Sequence, residues 1–222
     1  MKIIREKIAL WIVIALMLAY SAYFSALSIQ RHNTFRTRAS DMGQMDQALW
    51  NTLHGNLLQD TRPDGKNLPR LTDHVEPIFL AIPFAFLIYD GIETLFVLQS
   101  LAIALGALPI FWIARRKLQN AWAGVAFAAL YLMFPALQAA NLAEFHAVTF
   151  APAPLLFAYH YGEERAWKRY IFFSLLALAV KEDIALLVFT MAIWFAIQNS
   201  KFKIRNPGNP SRITNYELRI TN

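Results

Sequence analysis

Asp41, His74, Glu144, His146, Lys181, Glu182 and Asp183 are the side chains whose types and positions beside apolar segments could carry chemistry. A carboxylate or imidazole at a membrane–water boundary can take a proton from a hydroxyl or hold a divalent cation. A lysine there can neutralise a phosphate. Each cluster also has a plainer reading. Asp41 suits a helix N-cap, and Asp46, five residues on, suits a solvated face. His74 and Glu76 sit before Pro77 as the polar end of an interfacial helix would. Glu144 and His146 follow an apolar span, where polar residues collect. Lys181-Glu182-Asp183 is harder to dismiss, because three ionisable residues separate apolar runs of 11 and 15 residues, and each charge at mid-membrane costs about 2.5–3.5 kcal/mol on insertion scales.

The elements that must position these residues are mostly apolar. The chain has 222 residues, 57% of them hydrophobic and 16% charged, with a mean hydropathy of +0.35. Soluble domains carry about 25% charged residues, so the composition points to a bilayer. The runs are continuous rather than alternating, which argues for helices and against a closed barrel. The net charge of +6 comes without a basic patch interleaved with aromatics, so no nucleic-acid partner is expected. The absence of cysteine removes disulfide and thiolate chemistry, and phosphate-cradling glycine loops, HExxH and GxSxG are missing as well.

Lys2, Arg5 and Lys7 precede 22 apolar residues, Ile8 to Ile29, enough to cross a hydrocarbon core of roughly 30 Å and longer than a cleavable signal core. The polar stretch 30–76 follows and holds six of the fifteen acids. Within it, Ser40 or Asp41 is expected to cap a helix running to Leu53, with Gly55 as its stop and Met42, Met45, Leu49 and Leu53 on one face. Residues 77–89 are too short to span and are read as a re-entrant or surface helix. Spans are expected over 92–114 and 121–143, then shorter ones over 148–161, 170–180 and 184–198, with a break at Lys181-Glu182-Asp183. This topology keeps the Lys/Arg clusters at 2–7, 115–117, 165–169 and 201–205 on the cytoplasmic side. It also places five of the six tryptophans near that boundary, and the loop 30–76 outside. Residues 1–198 form one transmembrane domain on this reading, and 199–222, with breakers and a repeated Arg-Ile-Thr-Asn, a disordered basic cytoplasmic tail.

Several stretches carry a resemblance: Asp41-Met42-Gly43-x-x-Asp46-Gln47-Ala48-Leu49-Trp50-Asn51, His74-x-x-Pro77, Leu98-Gln99-x-Leu101-Ala102-x-Ala104-x-Gly106-Ala107-x-Pro109, Glu144-Phe145-His146 and Val180-Lys181-Glu182-Asp183. In order and spacing over residues 8–198 they resemble DUF2079, a family of predicted prokaryotic membrane proteins. That family in turn resembles the GT-C integral-membrane glycosyltransferases, which move a sugar from a polyprenyl-phosphate donor to an acceptor outside the membrane. The resemblance implies Asp41 as the loop acid, acting as general base or metal ligand, with a divalent cation such as Mg or Mn as the cofactor to consider. It marks His74, Glu144, His146, Lys181, Glu182 and Asp183 as substrate-binding positions, without individual roles. Gln44-Met45 departs from the apolar pair usual in the family. The chain also stops near Gln198, at roughly half the length of such proteins, as a truncated N-terminal half would.

The expectation is therefore an all-α polytopic protein of the cell membrane with five or six membrane segments, a GT-C-like arrangement and a long first external loop. Membrane lipid and a polyprenyl-phosphate-linked sugar are its expected partners. Two other readings stay open: a transporter or proton-relay fragment, which needs Lys181-Glu182-Asp183 at mid-membrane, and a non-catalytic membrane scaffold.

Overall fold

The computed structural model describes residues 2–62 and 64–205, with the side chains of 3–38, 42–62 and 64–199. Nine α-helices occur among the described residues: α1 (Lys2–Asn33), α2 (Ala39–Leu53), α3 (Glu93–Leu105), α4 (Ala107–Leu118), α5 (Ala121–Leu132), α6 (Pro135–Leu142), α7 (Pro152–Glu163), α8 (Trp167–Leu178) and α9 (Ile184–Arg205). One small antiparallel hairpin, β1 (Gln59–Thr61) with β2 (Asn67–Pro69), interrupts an otherwise helical chain and pairs Asp60 with Leu68. Two helices are long and apolar enough to cross a membrane, α1 and the 26-residue run Glu93–Leu118, with a third span if α5 and α6 count as one bent pair.

The long helices are apolar on every side, as membrane helices are. On α1, Ala9, Val13, Tyr20, Phe24 and Ser28 recur at helical spacing and are buried, while Trp11, Leu18 and Tyr23 point outward. The most extensive helix pairings are α4 with α5, α1 with α3, and α7 with α8. A left-handed Gln119 ends α4, and the Asn120 side chain then caps α5 by accepting from the backbone of Trp122 (2.9 Å) and Ala123 (3.4 Å).

Contacts between connections define two ends. At one, Arg115 lies 3.5 Å from Glu6, and Arg116 pairs with Glu163 and Glu164. At the other, the Arg38 amide donates to Glu144, the Ile78 amide to the Ala179 carbonyl (2.7 Å), and His74 meets Glu182. The segments 144–146 and 181–183 thus reach the same end of the bundle as the polar stretch 30–76.

Four local features differ from the sequence reading. Arg38, not Ser40 or Asp41, occupies the α2 N-cap and makes no side-chain cap, because the helix begins before the acid that would have capped it. The apolar run 121–143 is not one straight helix. Pro135 lacks an N–H and holds Phe134 extended, so α5 and α6 meet at 45°. The segment 77–89 forms two 3-10 stretches, Pro77–Leu80 and Ile82–Leu87, with Phe79, Ile82 and Phe86 buried beneath α2. The last helix runs on to Arg205, into the stretch read as a tail; residues 206–222 of that tail lie outside the described residues. The break at 181–183 is present, between α8 and α9.

A buried polar knot ties the bundle to its loop end. Gln99, fully buried on α3, donates to the Asn141 carbonyl (3.1 Å). Its Oε1 accepts from the His146 amide (3.0 Å) and the Thr149 hydroxyl (3.1 Å). The Asn141 side chain accepts from Ser100 (3.1 Å) and donates to the Tyr20 hydroxyl (3.3 Å). A buried polar group without a partner is expensive in an apolar interior, so each of these amides fixes the position of the others. Replacing Gln99 by Leu is expected to destabilise the protein by about 1–2 kcal/mol, and Asn141→Leu by a similar amount. The double variant should lose less than the sum of the two, since they share one network. Thermal or denaturant unfolding in detergent micelles measures it, and strict additivity would show that the knot is not a unit.

Candidate functional site

The loop end is built on a second apolar core. Met42, Met45 and Leu49 of α2 pack with Phe79, Phe96, Phe145, Val180 and Ile184. The Phe145 ring sits 6.1 Å from Phe79 and 5.7 Å from Phe150, and its amide lies 3.1 Å from the Met42 sulfur. The face expected for α2 is thus the buried one, and it presses against the bundle. With Phe145 anchored, its neighbours Glu144 and His146 are presented on either side of it.

Above this core is a cavity of about 200 Å³ whose polar lining comes from Gln44, Arg70, His74, Glu76, His146 and Lys181. Three of the expected site residues, His74, His146 and Lys181, therefore share one wall. Glu182 is adjacent. It binds His74 Nδ1 at 3.0 Å through one oxygen and the Val75 amide at 3.0 Å through the other. Its own backbone N–H, then the His74 imidazole, hold its carboxyl below the ordinary value of 4.5. Asp183 is mostly exposed and lies 3.5 Å from Lys181. Glu76, buried under the cavity floor, pairs with Arg70 Nε at 3.0 Å, and the Arg70 guanidinium also stands 5.5 Å over the Phe79 ring. Glu76 is the N-cap residue of the 3-10 stretch Pro77–Leu80, the polar end of a helix, and its carboxylate is at the same time the counter-ion of Arg70.

His146 has a defined tautomer. Its Nδ1 lies 2.6 Å from the Glu144 carbonyl oxygen, which can only accept. Nδ1 must carry the proton, and Nε2 of the neutral ring is left as the basic nitrogen.

A second cavity, of about 430 Å³, adjoins the first and shares His146 with it. Arg31, Arg36, Arg38 and Glu144 all line this second cavity. One Glu144 oxygen accepts from the Arg38 amide at 2.5 Å, and the other is buried without a hydrogen-bond partner among the described residues. Three guanidiniums against one carboxylate give this cavity a positive balance suited to a phosphate.

Asp41 is in the first turn of α2, next to Met42; its side chain lies outside the described residues. Asp46, expected on a solvated face, is partly buried. Burial, then the charges of Asp90 and Glu93, raise its carboxyl above the ordinary value, with His32 opposing. It lines neither cavity. Among the described residues, no group of three His, Asp or Glu converges as a metal centre would require. The sequence reading missed Arg31, Arg36, Arg38, Arg70 and Gln99 as parts of this site. Gln99 alone left a signal, as a polar residue inside an apolar span.

Glu182 gives a signed pH dependence. Its pKa is lower folded than unfolded, so the contact contributes fully above 4.5 and is lost as pH falls through the lower folded value. Hydrogen exchange at the Val75 amide, corrected for the intrinsic rate, should accelerate several-fold across that window. Glu182→Gln should show the fast rate at neutral pH already. A Val75 amide equally protected in the variant would defeat this account.

A family model described as "Predicted membrane protein (DUF2079)" matches residues 31–215. No curated protein and no solved structure matches the chain.

Proposed function

The chain belongs to the DUF2079 family of predicted membrane proteins, and from that premise we propose that it is a GT-C-like glycosyltransferase, or a part of one, acting on a polyprenyl-phosphate-linked sugar at the extracytoplasmic face of the cell membrane. The observation that carries the reading is convergence. His74, Glu144, His146 and Lys181, from three segments far apart in sequence, line two adjoining cavities beside the first turn of α2. A scaffold has no need to gather a basic imidazole, a lysine and three arginines at one membrane boundary.

The chemistry divides as follows. The donor's phosphate lies among Arg31, Arg36 and Arg38, with Lys181 on the neighbouring wall. The acceptor hydroxyl gives its proton to Asp41 as its oxygen bonds to the anomeric carbon. The bond from that carbon to the phosphate oxygen breaks, and polyprenyl phosphate leaves with the electron pair. The cations stabilise the charge on the departing phosphate. His146 Nε2, Glu144, His74, Glu182 and Asp183 hold sugar and acceptor hydroxyls. If a divalent cation takes part, Asp41 is the residue to ligate it. In this topology the short helices α7 and α8 and the longer α9 complete the membrane segments, and the basic ends of α1 and α4 are cytoplasmic.

Removing a positioned general base lowers turnover by about 10²–10⁴-fold. Asp41→Asn is expected to abolish transfer by membranes carrying the chain and to raise the cellular pool of polyprenyl-phosphate sugar. Lys181→Gln should lower kcat more than it raises KM. An unchanged pool and unchanged glycans in Asp41→Asn cells would favour a non-catalytic membrane protein instead.

Sidedness has its own test in a chain without cysteine. Single cysteines at Gly43, Val148, Glu182 and Trp167, all exposed, are treated with a membrane-impermeant thiol reagent on intact cells. The first three should label and the fourth only after permeabilisation. Protection at Glu182 would break the common site.

A further inference from the structure

The opposite end of the bundle holds a larger cavity, of about 880 Å³, between α1, α4, α5, α7 and α8. The transfer proposed above makes no use of it. Four arginines line it, Arg5, Arg115, Arg116 and Arg169, against two carboxylates, Glu6 and Glu164. Arg116 is engaged with Glu163 (2.5 Å) and Glu164 (3.2 Å). The other three are less satisfied. Arg115 approaches Glu6 only to 3.5 Å, and Arg169 lies over the Tyr161 ring at 5.3 Å. Among the described residues, Arg5 has no ion-pair partner.

Further features bear on both a polar and an apolar part of a ligand. His160, only 5% exposed, forms part of the cavity wall, and its Nδ1 is buried without a hydrogen-bond partner among the described residues. Trp122, half exposed, stands at the rim. Within a turn or two of that rim, Ile4, Ile8 and Trp11 on α1 and Phe127 on α5 are exposed on the outer surface. An anion held at the arginines would have its hydrocarbon tail running along these side chains.

We propose that this cavity binds the phosphate of an anionic phospholipid headgroup, with Arg5, Arg115 and Arg169 as its cations. Basic pockets between membrane helices favour such headgroups, and a guanidinium fork matches phosphate oxygens. The acyl chains lie against α1 and α5. The site is independent of the transferase reading and stands or falls on its own measurement.

The full chain is purified in a non-ionic detergent and stripped of lipid. It is then offered equal phosphatidylglycerol and phosphatidylcholine, and retained lipid is counted by native mass spectrometry. Phosphatidylglycerol is expected to be retained at least fivefold over phosphatidylcholine. Arg5→Gln and Arg169→Gln should each lower that preference by about fivefold, the value of one basic contact near a membrane surface. Lys66→Gln, which removes a charge from the exposed turn beside β2, should leave it unchanged. Arg5→Lys should keep most of the preference. Because Arg5 is exposed, its variants guard against a failure of Arg169→Gln to fold. Equal retention of the two lipids overturns the proposal, as does an equal loss in Lys66→Gln. Displacement of the lipid by an equimolar soluble glycerol phosphate would mean that the cavity takes a free phosphate instead, and that too overturns the lipid assignment.

Discussion

Two amides buried in apolar helices, Gln99 and Asn141, set the constraint on which the loop end depends. Neither can go to water, so each must find all its partners inside the protein. Those partners come from α1, α3, the end of α6 and the residues just before α7. Hydrophobic contacts between membrane helices tolerate sliding, because lipid is as good a neighbour as another helix. A hydrogen-bonded knot does not. It fixes where the backbone emerges after Leu142, and with it the placing of Glu144, Phe145 and His146.

From that anchor the polar stretch folds back as a cover. Hydrophobic contacts of α2 hold one side of it. The other is held by a hydrogen bond between His74 and Glu182 and by ion pairs of Arg70 with Glu76 and of Arg62 with both Asp60 and Asp73. The same few residues therefore stabilise the cover and shape the cavity beneath it. Glu182 shows this double duty most clearly, since its carboxylate joins the loop to the break between α8 and α9. The two ends of the bundle differ in composition. Both mix histidine, carboxylate and arginine, but the other end adds Trp112 and Trp122 and gathers four arginines around one cavity.

The features legible in the sequence were those set by local physics. An apolar run of 22 residues identified α1, three consecutive charges identified the break after α8, and the spacing of Met42, Met45 and Leu49 gave the buried face of α2. What the sequence concealed depended on distance along the chain or on competing signals. Gln99 and Asn141 are 42 residues apart, and nothing local pairs them. Arg38 and Glu144 are separated by 106, so the basic cavity could not be read from the arginines alone. Pro135 did announce a bend, but the hydropathy of its surroundings argued for an unbroken span. Asp41 looked like a cap because caps are common, yet the helix starts at Ala39, directly after Arg38, leaving the acid inside the first turn.

The brevity of α8 has a further consequence for the surrounding lipid. Its 12 residues rise about 18 Å, well short of a hydrocarbon core of roughly 30 Å, and Ile171, Phe172, Leu175 and Leu176 face outward. On the topology proposed above, in which α8 is a membrane segment, a leaflet that wets these side chains must dip toward the protein along this flank. The depression would end near Val180 and Lys181, where the cavity wall begins. Headgroups there would sit deeper than in the surrounding bilayer, so that on this topology the pocket is open to molecules that diffuse laterally within the membrane.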